Sequence, residues 1–429
     1  MIAKLSWRGA LPVLILIYAT AYLDRQILNL LVDPIKRTLH VSDTRIGFAQ
    51  GFAFVIAFTL CAVPFGAAVD RYSRRNIILF SAVAWSACAG LAGLSESYGE
   101  LLLARVGVGA AEAALAPAVY SLLADEVPAE SLAGILAIFS TGAIVGAGVS
   151  FAGSAYVVDR VSACDGCIPF THGLQPWQIV IILMALPGLL FGLLAALIAE
   201  PPRRREAGHG DVSGLAETLA MIWRHRGFYL CHFFGFGLLN LLSAGWNAWA
   251  PSYLIRTLGW SVSRAGFTLG AVSITGGMIG MIGSGQLADH LYRRGVLDAH
   301  LRIYAWATLV LGAAGSIAVS TSTMWVLVPA LLVITLIMPF IAVAAAALQI
   351  TSPPRTRGKV SAIFLAVYNI LGFGLGPAVI AFTSDTILRD AHKLWLALLL
   401  CFMLFAPIAS AIFALGLKPM RAIIAAGRS

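Results

Sequence analysis

Asp24 and Arg25 stand side by side, and Arg105 and Glu112 stand seven positions apart, in stretches that are otherwise almost wholly apolar. Seven positions are two helical turns, so in a helix Arg105 and Glu112 share one face. An ionisable group in the middle of an apolar span costs at least about 2.5–3.5 kcal/mol on insertion scales, and its presence there points to work on protons or ions. Two acids and two bases sum to zero charge, so the set can be buried at tolerable cost when fully paired. The chemistry open to it is proton uptake by Asp24 or Glu112, with release of Arg25 or Arg105 to meet an anion or switch partner. A static network that only orders the surrounding helices would use the same four residues.

A second pattern couples glycine, aspartate and arginine. Gly66, Asp70, Arg71, Arg74 and Arg75 lie between two long apolar runs, and Gly285, Asp289, Arg293 and Arg294 repeat the spacing of glycine, aspartate and paired arginines one half-chain later. A repeat of this length implies two homologous halves. The glycines are expected to let helix ends approach closely. Each aspartate can cap a helix or pair with arginines, and the arginines are expected to face lipid phosphates. Together they read as latches on the cytoplasmic side.

The elements that must position these residues follow from composition. With 59% hydrophobic and only 11% charged residues, the chain falls far below the charged fraction of soluble domains, about 25%. A mean hydropathy of +0.88 agrees. Twelve runs are long enough to cross a bilayer, near 11–33, 46–69, 76–95, 101–124, 131–158, 177–199, 227–255, 265–288, 303–321, 323–350, 360–384 and 394–417. The reading is an all-α polytopic membrane protein. The net charge of +9 sits in short loops and sets topology; it does not mark a nucleic-acid surface. Most loop Lys and Arg fall on one side when the N-terminus is placed inside, so both termini are expected in the cytoplasm. The inner loop with Asp125, Glu126 and Glu130 departs from that trend.

The first run lacks a small-residue cleavage site and is expected to stay as a helix. Residues 1–199 form one six-helix half and 227–429 the other. Residues 200–226 form a linker with a short amphipathic piece around Leu215–Trp223, expected at the membrane surface. Gly142, Gly146, Gly148 and Gly153 in the fifth run echo Gly372, Gly374 and Gly376 in the eleventh; they suit close packing and equally suit halves that rock. Of six cysteines only Cys164 and Cys167 form a spacing, open to a local disulfide or to none. No Ser/His/Asp set or metal-ligand spacing appears, so neither catalysis nor a metal is expected.

The second half carries no matching charge in its runs. Its candidates for a substrate cavity are Asn240, Trp246, Tyr368 and Asn369, to which Tyr18 and Tyr22 beside the first-run charges are added. Tryptophan and phenylalanine stripes serve helix packing as readily as binding.

The repeated loop resembles the signature loop of the major facilitator superfamily, and Arg105-x-x-x-Gly109 resembles that family's fourth-helix motif in proton-coupled members. The stretch from Tyr22 to Gly47, and Ala104 to Asp125 in the fourth run, are similar to the Spinster branch, whose eukaryotic members are taken to move sphingosine-1-phosphate or lysophospholipids. The resemblance implies a fold of twelve transmembrane helices in two six-helix halves, with the first and fourth helices of each half lining a central cavity. It implies a monomeric carrier in a bacterial inner membrane, using protons as its coupling ion and no other cofactor. Its partners would be membrane lipids and an amphipathic small molecule or lysolipid, moved by alternating access. A drug or organic-anion transporter of the same fold is the alternative, and a lipid scramblase or channel a more distant one.

Overall fold

Inside hydrocarbon no water satisfies a peptide N–H or C=O, so a chain this apolar crosses a membrane only as helices or as a closed barrel. The computed structural model describes residues 5–163, 173–202, 215–353 and 355–426, without the side chains of 129, 130, 133 and 162. Twelve helical spans are long and apolar enough to cross a bilayer. In the first half they are α1 (Trp7–Leu30), α2 (Asp43–Arg71), α3 (Arg74–Gly93), α4 (Tyr98–Glu126), α5 (Gly134–Val161) and α6 (Pro176–Leu197). In the second they are α7 (Arg226–Arg256), α8 (Val262–Arg293), α9 (Ala299–Ser320), α10 (Met324–Thr351), α11 (Arg357–Ile387) and α12 (Ala391–Ala426). They follow the twelve apolar runs of the sequence. The largest difference is α12, which continues through Pro419 to Ala426. A separate helix, Leu215–Arg224, buries Thr218 and Ile222 and leaves Leu215, Leu219 and Trp223 exposed, as the amphipathic pattern predicts.

By packing, the chain divides into Met1–Arg205 with Asn247–Ile274, and Glu206–Trp246 with Thr275–Ser429. This differs from a division at the repeat boundary, because the C-terminal part of α7 and the first part of α8 belong to the first unit. Small residues explain it. A Cβ on Gly270 would stand 2.7 Å from the Gly148 carbonyl, and one on Gly266 2.6 Å from that of Phe151.

Lipid tails are as apolar as leucine, so helix association rests on close van der Waals approach and polar contacts. In the first unit α1 packs on α5 and α6, α3 on α4 and α6, and α2 on α4. Gly142 and Gly146 of α5 lie against the Ile15 and Ala19 carbonyls of α1. In the second unit α9 packs on α10 and α12. There Gly376 of α11 lies against the Leu241 carbonyl of α7, with Gly372 under Asn240. The α1–α5 and α7–α11 contacts are therefore built alike, by glycines on the later helix. Gly66 and Gly285 behave otherwise. Among the described residues nothing stands within 4 Å of a Cβ at either, so the close approach expected at the repeated loops is not made by them there.

Two irregularities bear on the charged residues. Within α2, Phe48–Phe52 is a turn of π-helix, which adds one residue to the turn and frees carbonyls from the usual ladder. Within α4, the α-helix stops at Glu112 and resumes at Leu115. The Ala111 carbonyl next to that break accepts the Ser81 hydroxyl of α3 at 2.7 Å.

Candidate functional site

α1 and α4 bring all four ionisable residues into one buried region of the first unit. Arg25 Nε donates to Glu112 Oε2 at 2.6 Å, and the Glu112 side chain is only 1% exposed. The Arg25 guanidinium lies over three rings, Tyr22 at 4.9 Å, Phe54 at 4.7 Å and Phe58 at 5.2 Å. Such faces carry partial negative charge and hold a desolvated cation where water cannot. Phe54 serves twice, since Arg105 also stands over it at 5.5 Å. Gly109 makes that possible: a Cβ there would collide with the Phe54 carbonyl, so only glycine lets α4 meet α2 at this depth. The Arg105-x-x-x-Gly109 spacing thus joins a guanidinium to the close contact that supplies its ring.

The pairing is not the fully paired set expected from sequence. Arg105 forms no ion pair among the described residues. Its Nη1 donates to the Asp24 backbone carbonyl at 3.3 Å and its Nε makes a long bond of 3.5 Å to the Ala49 carbonyl. Ala49 lies in the π turn, which explains the exchange: α2 offers a carbonyl that a regular helix would have used itself. Asp24, 2% exposed, makes no ion pair among the described residues, and its Oδ2 is buried without a hydrogen-bond partner, as is Glu112 Oε1. The cluster therefore holds one ion pair, one guanidinium bonded to carbonyls, and one buried carboxyl group off the pair.

The loop residues separate into one buried clasp and an exposed remainder. Arg74 is 1% exposed, not turned to lipid phosphates; it pairs with Asp125, reaches Glu200 Oε1 at 2.9 Å and donates to the Pro201 carbonyl at 2.7 Å. Glu200 also takes the backbone N–H of Arg74 (3.2 Å) and Arg75 (2.8 Å) and the Ser73 hydroxyl (2.8 Å), capping α3 from the start of the linker. Burial acts to raise the Glu200 pKa, but the N–H of Arg75, the Ser73 hydroxyl and the Arg74 guanidinium and N–H outweigh it and hold the carboxyl below its ordinary range. Asp125, in the last turn of α4, neutralises Arg74; the Glu130 side chain lies outside the described residues.

Asp70, Arg71, Asp289, Arg293 and Arg294 are exposed and Arg75 is half-buried. Among the described residues of the second unit the acid that is buried is Asp298, bonded to Arg302 at 2.9 Å and Arg421 at 3.2 Å. Arg293, the counterpart of Arg74, takes no such place. Cys164 and Cys167, and Arg203–Arg205, lie outside the described residues.

The cavity candidates also separate. Trp246 is buried against Phe402 at 5.8 Å between ring centres, and Asn240 is buried over Gly372, donating to the Tyr368 carbonyl at 3.0 Å. Both are packed in the interior of the second unit, contrary to a place on a cavity wall. Tyr18, Tyr22, Tyr368 and Asn369 are half-buried. Tyr18 stacks on Phe139 at 4.5 Å and meets Tyr22 edge-on at 5.2 Å.

Sequence reading missed a second ionic cluster in the first unit, at the opposite end of α2 from Arg74. Asp43 is fully buried and accepts Arg256 Nη1 at 2.7 Å, Arg256 Nη2 at 3.0 Å and Lys36 Nζ at 2.5 Å; Arg256 Nε reaches Asp33 at 2.7 Å. The available signal was two aspartates flanking Lys36 in one short connection. Their partner lies in α7, too far along the chain for spacing to find. The rings of Phe54 and Phe58 were missed too, although their four-residue spacing puts both on one face of α2.

Comparison with known proteins places these geometries in a family. The description Major Facilitator Superfamily matches residues 14–377. An MFS-type efflux pump of Mycolicibacterium smegmatis is 26% identical over 92% of this chain and 89% of its own. Protein spinster homolog 1 of Homo sapiens is 28% identical over 58% of this chain, which spans about half that relative's length, 46%. Among solved structures, a bacterial homologue of the human lysosomal transporter Spinster, inward-facing and unoccupied, superposes with a TM-score of 0.79 at 21% identity, covering 97% of each chain.

Proposed function

The chain belongs to the Major Facilitator Superfamily, and we propose that within it this protein is a proton-coupled secondary transporter of an amphipathic, lipid-like anion, moved by alternating access. The observation that carries the reading is the Arg25–Glu112 pair at 2.6 Å beside Asp24, a buried carboxyl group held in no ion pair among the described residues. A proton taken by Glu112 removes the counter-charge of Arg25. The guanidinium, still held by Tyr22, Phe54 and Phe58, then meets the anionic head of a substrate, and Asp24 is the second site that gains or loses a proton. The half-buried rings of Tyr18 and Tyr22 suit the apolar part of such a substrate, and the pair exchange biases the carrier between its two openings. Asp70 and Asp289 with their arginines serve as cytoplasmic latches.

The test is uptake into proteoliposomes of lysolipids, sphingoid phosphates, organic anions and cationic drugs, with and without a pH gradient, for the wild type, Asp24→Asn and Glu112→Gln. Saturable lysolipid movement that follows the gradient and is lost in both variants supports the reading. Unchanged gradient-dependent transport in both variants refutes the proton role.

A second reading, a proton-coupled drug or organic-anion transporter, draws support from the efflux pump of Mycolicibacterium smegmatis and from a hexuronate transporter of Bacillus subtilis, 23% identical over 88% of this chain. It uses the same charge cluster, and the substrate panel separates the two. Flux without saturation or gradient dependence would point instead to a scramblase or channel.

A further inference from the structure

At one end of the second unit lies a cavity of about 780 Å³ that the transport reading does not use. Its walls come from the end of the Leu215–Arg224 helix, the start of α7 and the ends of α8, α10 and α12. Because α7 begins where the other three finish, all four meet the same face of the membrane. The exposed Leu215, Leu219 and Trp223 on the bordering helix set the level as that of lipid headgroups, where an amphipathic helix rests and tryptophan is favoured.

The lining mixes polar and apolar side chains. Arg224 supplies positive charge and His225 an imidazole, and Tyr229 and Ser352 add hydroxyl groups to the lining. Tyr229 and Ser352 are already tied to each other at 3.1 Å, so that wall is fixed before any ligand arrives. Met221, Ile350 and Ile423 add apolar side chains to the same lining, with Met221 Sδ 3.9 Å from the Tyr229 hydroxyl. Among the described residues no carboxylate lines the cavity. A concave site that holds an arginine, no acid among the described residues and several apolar side chains matches an anion that carries a hydrocarbon tail.

We propose that this cavity binds a phosphate-bearing membrane lipid taken from the adjacent leaflet, with the phosphate at Arg224 and His225 and an acyl chain along Ile350 and Ile423. The site is distinct from the Arg25–Glu112 cluster, and its occupant is a resident lipid, not transported cargo. A free phosphate shares the headgroup chemistry but leaves the apolar wall unused.

The full chain, purified in detergent, is titrated with phosphatidylglycerol, phosphatidylcholine and inorganic phosphate, and bound lipid is counted by native mass spectrometry. An arginine near a membrane surface contributes roughly fivefold in binding, so Arg224→Ala with His225→Ala should weaken phosphatidylglycerol retention by about fivefold or more. Ala422→Trp, which fills the cavity from its wall, should abolish it. Arg226→Ala, on a neighbour outside the lining that rests on Trp223, should leave it within about twofold. Equal retention in the paired alanine variant or in Ala422→Trp overturns the proposal. An Arg226→Ala loss as large as that of the pair also overturns it, since binding then follows surface charge alone. Inorganic phosphate that displaces the lipid at equal concentration assigns the site to a free phosphate and removes the lipid. If the paired variant does not elute as a single species, Arg224→Gln takes its place with an expected loss of about fivefold.

Discussion

Arg25 and Glu112, 87 positions apart in sequence, meet at 2.6 Å with the guanidinium inside a ring of three aromatic side chains. Breaking a buried pair from one side strands a charge, whereas removing both partners does not. Glu112→Ala should therefore destabilise the protein by about 3–5 kcal/mol, and Arg25→Met with Glu112→Ala by clearly less. Thermal unfolding in detergent, run as a double-mutant cycle, checks this; a double variant as unstable as the sum of the singles would mean the two groups do not act as a pair.

The glycines predict an inversion of what the repeated loop suggests. Gly66→Ala has open space and should leave the unfolding midpoint nearly unchanged. Gly109→Ala and Gly146→Ala each drive a Cβ into a neighbouring backbone carbonyl and should cost about 1–3 kcal/mol or more. Fluorescence-detected size exclusion after a heat step gives the ranking, and equal tolerance at all three would contradict the described contacts.

Glu200 gives the protein a defined acid sensitivity. Its carboxyl is held below its ordinary value of about 4.5, so its stabilising contribution is fully present above that pH and is lost as pH falls through the lower folded value. Glu200→Gln should lower stability at neutral pH and flatten the decline on acidification. Midpoints measured from pH 7 down to pH 3 test the sign: a variant curve parallel to the wild type would show that Glu200 does not carry the effect.

The Asp43 cluster should outweigh the more exposed Arg302–Asp298 pair. Arg256→Ala leaves a fully buried Asp43 with Lys36 alone and strands Asp33, whereas Arg302→Ala removes a side chain that is 45% exposed and leaves Arg421 on Asp298. The first should cost several kcal/mol and the second about 1 kcal/mol or less. Equal shifts in unfolding midpoint would argue that Asp43 is solvated in the folded protein.

Runs of apolar residues and the repeated loop made the helices and the two-fold plan legible, because both signals are local or exactly periodic in kind: a span must be apolar along its length, and a duplicated loop keeps its spacing. The four charges were legible for the same reason, as each is out of place in its own run. Their partners were not. That Arg105 turns to the Ala49 carbonyl depends on one turn of π-helix, and nothing in Phe48–Phe52 announces it. Asp43 and Arg256 lie in different halves of the sequence, so only folding brings them together. Asn240 and Trp246 carry side chains that could line a cavity, and their burial was decided by Gly372 and Phe402 on other helices.

The wide turn at Phe48–Phe52 also sets the phase of everything after it in α2. One residue more or less in a helix turns the following side chains by about 100°. A single-residue deletion between Gly47 and Phe52 would let the regular ladder close and take up the carbonyl that Arg105 now uses, whereas a single-residue insertion would swing Phe54 and Phe58 off the Arg25 guanidinium, in neither case with any change to a charged residue. Length, not identity, is the constraint here. In a set of randomly shortened or lengthened chains, this short stretch should tolerate substitutions far better than it tolerates a change of one in its count.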